Sequence, residues 1–349
     1  MSTKTTSEGD DKMLSLLSNL KKTYGSESVI FGNSFAEVSK QSSGVLALNL
    51  ALGGGFGKGR IVEISGPESS GKTTLCILAM VEAQKENPKQ HVAIIDSEHA
   101  LDAKYCENLG LDMSKVLICQ PDNGEQGLNI ALDLINSGQI SFLLLDSIAA
   151  FIPKAVLDGD MEDKTMALHA RLITTFIPQC AFAASKTGTI VYLSNQNRNK
   201  INTYGNPVDT TGGNALKYYC SQRIELSAKL GEKDGDKNLT HKIVKANVKK
   251  NKIAPPFQTC EMRIGFGYGV DKFYDTTETG LITGVLTKSG NSWYYNEIRL
   301  GVSKEKAYET LKTDKNLHET IRKEIDKRIK NGTARATTGT DSNITGEPF

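Results

Sequence analysis

This sequence has little net charge, one tryptophan and no closely spaced pair of cysteines. Its six cysteines include no C-x-x-C pair and lie far apart in mostly apolar segments, which is typical of reduced core residues. A formal net charge of +2 gives no overall preference for nucleic acid or membranes, so any basic surface must be local. Neither a signal-type apolar segment nor a long apolar run opens the chain, which predicts a cytoplasmic protein.

A phosphate-binding motif is the clearest feature that is present. Residues 66–73 fit G-x-x-x-x-G-K-[ST], between a β-branched segment at 60–65 and an apolar helical pattern after it. In such a loop the glycines turn backbone N–H groups toward phosphate oxygens, the lysine adds a cation and the threonine can bind Mg²⁺. We therefore predict a nucleoside triphosphate site formed by Gly66, Pro67, Glu68, Ser69, Ser70, Gly71, Lys72 and Thr73.

Alternating apolar strands and helices continue after this loop, which is typical of an α/β protein with a mainly parallel central sheet. Pro178 is expected to kink or break the helix predicted at 165–184. Residues 222–264 read as an antiparallel extension. Before the core, an apolar pattern at 13–20 predicts an amphipathic helix and residues 28–31 a short strand, which either folds back or docks on another subunit.

Four regions follow from these patterns. We predict a helix and strand at 1–35, a core at 36–270, a small α/β domain at 271–332 and a disordered tail at 333–349. The length of 349 residues suits one large domain with smaller additions.

Polar residues at the ends of predicted strands are candidates for chemistry. Asp146 closes an apolar strand in the manner of a carboxylate that supports Mg²⁺ through water. Glu98 follows another strand and is our candidate for polarising the attacking water, although such an acid also serves as a strand-end cap. Gln196 could sense the γ-phosphate and transmit its presence to the polar segment behind it.

Two segments could contact nucleic acid. Residues 197–211 carry Arg198, Lys200, Ile201 and Tyr204, which suit phosphate contact and base stacking, but a solvated loop is at least as consistent with composition. The acidic segment 153–165 could contact DNA only through backbone amides, Met166 or Arg171.

Lysines crowd one predicted strand, at Lys245, Lys249, Lys250 and Lys252. They either protect an exposed sheet edge from aggregation or reach the phosphates of a neighbouring subunit's nucleotide.

Taken together, several motifs are more specific than a phosphate loop alone. GPESSGKTTL at 66–75, IDSEHAL at 95–101, GNP at 205–207, TGGNALK at 211–217 and KNKIAP at 250–255 closely resemble the bacterial RecA recombinase family over about residues 12–330. The resemblance implies a RecA-like P-loop core and an ATP- and Mg²⁺-dependent helical filament on single-stranded DNA, which searches double-stranded DNA for homology and exchanges strands.

The resemblance also implies roles for individual residues. Lys72, Glu98 and Gln196 would be catalytic, with Thr73 and, through water, Asp146 at the metal. The nucleotide would further contact Thr74, Asp102, Tyr105, Phe266, Gly267 and, from the adjacent protomer, Lys250 and Lys252. DNA would contact Met166, Arg171, Thr174, Arg198, Lys200, Ile201, Thr211, Gly212, Gly213 and Asn214.

The predicted activity is that of a DNA-dependent ATPase in homologous recombination and DNA repair, with a self-cleaving repressor of the SOS response as a further possible partner. Two alternatives use the same core: a hexameric DNA translocase or helicase, and a filament that coats DNA without catalysis and uses ATP only to gate assembly.

Overall fold

The computed structural model describes residues 5–26, 28–34, 36–159, 166–199, 208–210, 213–231 and 240–332, without the side chains of 5–9, 166, 197–199 and 208–210. The chain divides into two compact units, residues 1–39 and residues 40–349. The tail predicted at 333–349 lies outside the described residues.

The first unit contains helix α1 (Thr5–Tyr24), which confirms the amphipathic helix predicted around 13–20. The strand predicted at 28–31 is wrong, because these residues are bent or irregular and lead into a short 3₁₀ turn at Gly32–Ser34. A strand needs hydrogen bonds to a neighbouring strand, and the described residues of this unit supply no second strand.

The second unit holds the remaining elements. Its helices are α2 (Leu46–Leu52), α3 (Lys72–Glu86), α4 (Ala103–Asn108), α5 (Gly124–Asn136), α6 (Lys154–Leu157), α7 (Met166–Thr187), α8 (Gly213–Tyr219), α9 (Lys272–Ile282), α10 (Lys304–Thr313) and α11 (Lys315–Lys330). Its first strands are β1 (Lys40–Gln41), β2 (Phe56–Gly57), β3 (Ile61–Gly66), β4 (His91–Asp96), β5 (Val116–Cys119), β6 (Ile140–Asp146), β7 (Ile190–Asn199) and β8 (Val208–Thr210). The later strands are β9 (Gln222–Leu230), β10 (His241–Asn251), β11 (Thr259–Gly265), β12 (Gly269–Val270), β13 (Leu286–Ser289), β14 (Ser292–Tyr295) and β15 (Ile298–Gly301).

A central sheet organises the second unit, with the strand order β12-β11-β10-β9-β3-β7-β6-β4-β5 and β8 paired to β7. The strands from β5 to β9 in this order are parallel, whereas β10, β11 and β12 continue the sheet antiparallel. The predicted parallel sheet with an antiparallel extension is therefore confirmed. In a parallel sheet the carboxyl ends of the strands meet at one edge, where ligands of such folds bind.

Helices cover both faces of this sheet, because its strands are apolar on both sides. Ile64 and Ile94 pack with α2 and α3 in one core, whereas Ile61 and Ile95 pack with α5 and α7 in the other. The three layers hold the strand ends in fixed positions.

Helix α7 runs through Pro178 without interruption, so the predicted break is wrong, whereas the alternative of a kink stays a prediction. Ile177 and Cys180, on either side of the proline, are fully buried in the core that α7 shares with α5. This burial holds the helix together although proline removes one backbone hydrogen bond.

A third core joins the C-terminal elements to α2. Leu46 and Leu50 of α2 pack with Trp293, Leu311 and Ile325. The boundary predicted near residue 270 stays a prediction, since this core takes residues from both sides of it.

All six cysteines are free thiols, four of them buried and the other two, Cys119 and Cys260, partly so, which agrees with the prediction of reduced core residues. Within the described ranges, we find no helix with the length and apolar character needed to cross a membrane.

Candidate nucleotide-binding site

The phosphate loop connects β3 to α3 and is packed too tightly for side chains at two of its glycines. A Cβ atom at Gly66 would lie 2.9 Å from the carbonyl oxygen of Leu226 and 2.8 Å from Ser70 Oγ. Gly71 has a φ of +98°, and a Cβ there would lie 2.8 Å from Ile264 Cδ1. Gly71 also gives α3 no side-chain cap, so the first N–H groups of α3 point out of the helix toward the loop. Such a helix start attracts an anion.

Lys72 places its ammonium group inside the loop. Its Nζ donates to the carbonyl oxygens of Pro67 at 2.8 Å and Gly66 at 3.1 Å. Burial lowers the pKa of Lys72, and the neighbouring carboxylates of Asp146 and Glu98 act in the opposite direction. The result is a partly desolvated cation at the base of a loop lined with N–H groups, which suits a phosphate ligand.

Thr73 and Asp146 together form the candidate metal position. Thr73 Oγ1 donates to Asp146 Oδ2 at 3.2 Å. Burial raises the pKa of Asp146 and the Glu98 carboxylate acts in the same direction, while the hydrogen bond from the Thr73 hydroxyl and the charge of Lys72 lower it. These hard oxygen ligands fit Mg²⁺. Among the described residues no cluster of three or more His, Cys, Asp or Glu side chains could hold a metal by itself, so a metal here needs phosphate and water ligands as well.

Glu98 lies at the edge of the sheet where β4 and β6 end and where β7 continues outward. The hydroxyl of Ser147, just after β6, donates a short hydrogen bond to Glu98 Oε1, and Gln196 Nε2 donates to the same oxygen at 3.4 Å. Gln196 is opposite Gly66 in the β3–β7 ladder, and β7 continues beyond it. One cavity is lined by five of the predicted residues, namely Lys72, Thr73, Glu98, Asp146 and Gln196.

Asp96 is a buried carboxylate that the sequence analysis did not single out as functional. Its oxygens accept from the backbone N–H groups of Ala100 at 3.3 Å and Leu101 at 3.4 Å, and from Gln120 Nε2 at 3.2 Å. These bonds fix the turn that carries Glu98. The position of Asp96 at the last residue of an apolar strand was the available signal.

Tyr105 of α4 lies beside the first turn of α3, and Asp102 immediately precedes α4. Asp102 caps α4 by accepting from the backbone N–H of Tyr105 at 3.0 Å. The hydroxyl of Tyr105 is hydrogen-bonded to Thr74 Oγ1 at 2.9 Å. This pair attaches the predicted adenine contacts to the helix that follows the phosphate loop.

Phe266 and Gly267 occupy the turn between β11 and β12. The Phe266 ring is half exposed, and its backbone N–H donates to Thr240 O at 3.1 Å. Because Ile264 reaches Gly71, this turn is at the phosphate-loop edge of the sheet.

Only some of the predicted DNA contacts can be placed. Arg171 and Thr174 are exposed on α7, and Gly213 and Asn214 are exposed at the start of α8. Four others lie outside the described residues, namely Lys200, Ile201, Thr211 and Gly212, and the side chains of Met166 and Arg198 are also not described.

Lys250 and Lys252 lie far from the phosphate loop of their own chain. Lys250 is level with Arg223 and therefore with the beginning of β3, whereas the loop follows the end of β3. Both lysines donate to the carbonyl oxygen of Tyr218 at the end of α8, at 3.0 Å and 3.1 Å. Neither lysine lines the cavity beside the phosphate loop.

Comparison with known proteins gives a consistent result. The profile of the RecA N-terminal domain matches residues 12–271. A protein named Protein RecA from Porphyromonas gingivalis is 42% identical over 330 residues, covering 92% of this chain and 96% of that protein. Proteins of the same name from Bacteroides thetaiotaomicron and Bacillus thuringiensis are 44% and 41% identical over 310 residues each, covering 87% of this chain and 93% and 89% of theirs.

Proposed function

The chain belongs to the RecA family, and from that premise we propose that it is a DNA-dependent ATPase that carries out homology search and strand exchange in homologous recombination. The observation that supports this most directly is the single cavity in which Glu98 and Gln196 lie beside Lys72, Thr73 and Asp146. A phosphate loop alone would suit many nucleotide-binding proteins. The added carboxylate and amide suit hydrolysis that is coupled to a conformational change.

Nucleotide binding is assigned to the loop and its neighbours. Backbone N–H groups at the start of α3 and the Lys72 ammonium would hold the phosphates of ATP. Thr73 would bind Mg²⁺ directly and Asp146 through water, and the ion when bound neutralises phosphate charge. Asp102, Tyr105, Phe266 and Gly267 would surround the adenine.

Glu98 would accept a proton from the attacking water as general base. Its hydrogen bonds from Ser147 and Gln196 fix one carboxylate oxygen and leave the other for the water. Gln196 would also report on the γ-phosphate, because β7 leads from it directly into the segment 200–207. Hydrolysis would thereby change how firmly that segment holds DNA.

DNA would bind along the starts of α7 and α8 and the segments between them. Arg171 and Thr174 on α7 and Gly213 and Asn214 on α8 are exposed there. Single-stranded DNA would be held by backbone contacts and by side chains between bases, and double-stranded DNA would be sampled for homology. A helical filament of many copies is the proposed assembly, and a self-cleaving repressor and the cytoplasmic location stay predictions.

The two alternatives share the same core but are not favoured. Relatives named Protein RecA match about nine tenths of this chain, including the region beyond the ATPase core. The catalytic constellation around Glu98 also has no purpose in a filament that only coats DNA. Electron microscopy separates the ring-forming alternative, because a translocase forms closed rings and a recombinase forms open helical filaments.

ATP turnover measured with and without single-stranded DNA tests the proposal. We expect DNA to stimulate turnover and Lys72→Met to abolish both the basal and the stimulated rates. Turnover that DNA does not change would contradict the assignment, and a joint-molecule assay with homologous and heterologous duplexes would then decide whether any strand exchange remains.

A further inference from the structure

A second lysine contacts the tip of the phosphate loop. Lys242, at the start of β10, donates from Nζ to the carbonyl oxygen of Ser69 in a short hydrogen bond. Ser69 has a φ of 55°, a left-handed conformation that a non-glycine residue rarely adopts without support. The contact from Lys242 therefore reaches the most strained point of the loop.

The face of β10 that carries Lys242 is the one that packs against the loop. Side chains alternate along a strand, so Lys242 and Val244 point to the same side. Val244 Cγ2 lies 3.9 Å from the position of a Cβ at Gly71, in the same loop. Lys245 points to the opposite side and lines a separate cavity with Thr259 and Tyr274. The position of Lys242 at the loop thus follows from the strand itself.

Lys242 adds positive charge to a site that already contains Lys72. Burial lowers the pKa of Lys242, and the charge of Lys242 in turn lowers the pKa of Lys72. The carboxylates that face Lys72 are those of Asp146, Glu98 and Glu68. In the part of the chain that the structure describes, Lys242 forms no ion pair with a carboxylate. Two ammonium groups that repel one another are both stabilised when a polyanion lies between them.

We propose that Lys242 is a second cation of the nucleotide site, which holds the tip of the phosphate loop through Ser69 and adds its charge to that of Lys72 in attracting the phosphates. This inference rests on the proposed function and deepens it, because it assigns the preference of the site for the most highly charged nucleotide. Each additional phosphate charge is attracted by Lys242, so the contribution of Lys242 to the binding free energy rises from AMP to ADP to ATP.

Equilibrium binding of AMP, ADP and the slowly hydrolysed ATPγS to the full-length protein with Mg²⁺ tests the proposal. For Lys242→Met we expect the Kd of ATPγS to rise on the order of tenfold, that of ADP to rise less and that of AMP to change little. The salt dependence of ATPγS binding should also become weaker. Lys242→Arg should restore most of the affinity, because it keeps the charge on the same strand.

Lys229→Met is the matched control, since it removes an exposed lysine of β9 that is level with Ile243 and therefore lies on the face of the sheet opposite to Lys242. It should leave all three dissociation constants as in the wild type, and circular dichroism should show all variants folded. Equal losses for AMP and ATPγS would overturn the proposal, because Lys242 would then act on loop shape alone. An unchanged Kd for ATPγS in Lys242→Met would overturn it as well. A wild-type protein that binds none of the three nucleotides would instead overturn the proposed function.

Discussion

Glu98 obtains its surroundings from strands that are distant in sequence. It follows β4, whereas Ser147 follows β6 and Gln196 belongs to β7. Their hydrogen bonds to one oxygen of Glu98 depend on the strand order of the sheet and on the register that sets Asp96 opposite Asp146. A carboxylate held in this way keeps a constant direction toward the phosphate loop, which is what a general base requires.

Replacing Glu98 by Gln should separate hydrolysis from binding. We expect DNA-stimulated ATP turnover to fall about 10²- to 10⁴-fold, since the amide cannot accept the proton of the attacking water. ATPγS binding and filament formation should persist, because Lys72 and Thr73 are unchanged. Turnover is measured by phosphate release and binding by equilibrium titration.

Glu107→Gln provides the comparison, since Glu107 is an exposed residue of α4 outside the cavity. It should turn over ATP at the wild-type rate. If Glu98→Gln also retained that rate, another group would have to activate the water and the non-catalytic filament would regain support.

At the scale of elements, helix α2 receives its cap from a residue more than 200 positions away. Val45 precedes α2 and supplies no side-chain cap. Asp275 of α9 instead accepts from the backbone N–H groups of Leu46 at 2.8 Å and Ala47 at 2.9 Å. Arg322 of α11 pairs with the same carboxylate at 3.3 Å and donates to Gly44 O at 2.9 Å. This buried group joins α2 to the C-terminal helices.

Asp275→Asn should destabilise the protein by about 3 kcal/mol or more, because it leaves the Arg322 charge without its buried partner and weakens the cap of α2. The midpoint of urea unfolding measures this. Trp293, the single tryptophan, is buried in the core that α2 shares with the C-terminal elements, so its fluorescence reports on the affected region.

Asp326→Asn is the control variant for the unfolding experiment on Asp275→Asn. Asp326 pairs with Lys330 at 2.7 Å on the surface of α11, where an ion pair contributes at most about 1 kcal/mol. Equal shifts of the two midpoints would show that the Asp275 group is no more important than a surface pair.

His318 gives the same region a dependence on pH. Its Nε2 is hydrogen-bonded to Thr276 Oγ1 at 2.9 Å, and burial lowers its pKa. The hydrogen bond to the backbone of Lys272 and the Glu319 carboxylate act against this shift, whereas the charges of Arg322 and Lys272 act with it. Below about pH 6.5 this histidine binds a proton more readily in the unfolded chain than in the folded chain. The free energy of unfolding therefore has its full value above this pH and falls as the pH decreases, by at most about 1.4 kcal/mol per pH unit.

Thermal unfolding midpoints at pH 7.5 and pH 5.5 test this. The unfolding midpoint of the wild type should fall more on acidification than that of His318→Gln. His91→Gln changes an exposed residue at the start of β4, and its midpoint should fall as much as that of the wild type. The same acid-induced loss in His318→Gln and in the wild type would assign the effect to other groups.

How much could be predicted from the sequence depended on whether the signal was local. The β-branched segment at 60–65 and the helical pattern predicted after the phosphate loop agree with β3 and α3, because apolar segments next to polar turns are local signals. The strand at 28–31 was wrong, because apolar residues alone do not supply a pairing partner. The cap from Asp275 and the contact between Lys242 and Ser69 could not be predicted, since each depends on tertiary register.

At the scale of the whole molecule, the position of Lys250 determines whether one active site can take residues from two chains. Within its own chain Lys250 lies at the edge of the sheet opposite the phosphate loop, where it contacts the end of α8. If it acts on ATP at all, the ATP belongs to another copy. Each active site would then combine Glu98 of one chain with Lys250 of the next, and chemistry would depend on assembly.

Mixing two inactive variants tests this arrangement, and we expect activity to return. Lys250→Met and Glu98→Gln should each have little DNA-stimulated turnover alone, because one lacks the cation from the neighbour and the other lacks the base. In an equal random mixture, about one quarter of the interfaces join an intact Glu98 to an intact Lys250, so turnover should recover to about a quarter of the wild-type rate.

The control mixture combines Glu98→Gln with Lys72→Met, which damage the same half of the site. Because every nucleotide-binding chain in that mixture carries a defect, no interface is complete and turnover should stay at the level of the single variants. Recovery in the first mixture and none in the second is the pattern that only a shared site produces. Absence of recovery in both would mean that Lys250 does not act on a neighbour's nucleotide, and its contacts with Tyr218 would then account for its role by supporting the end of α8.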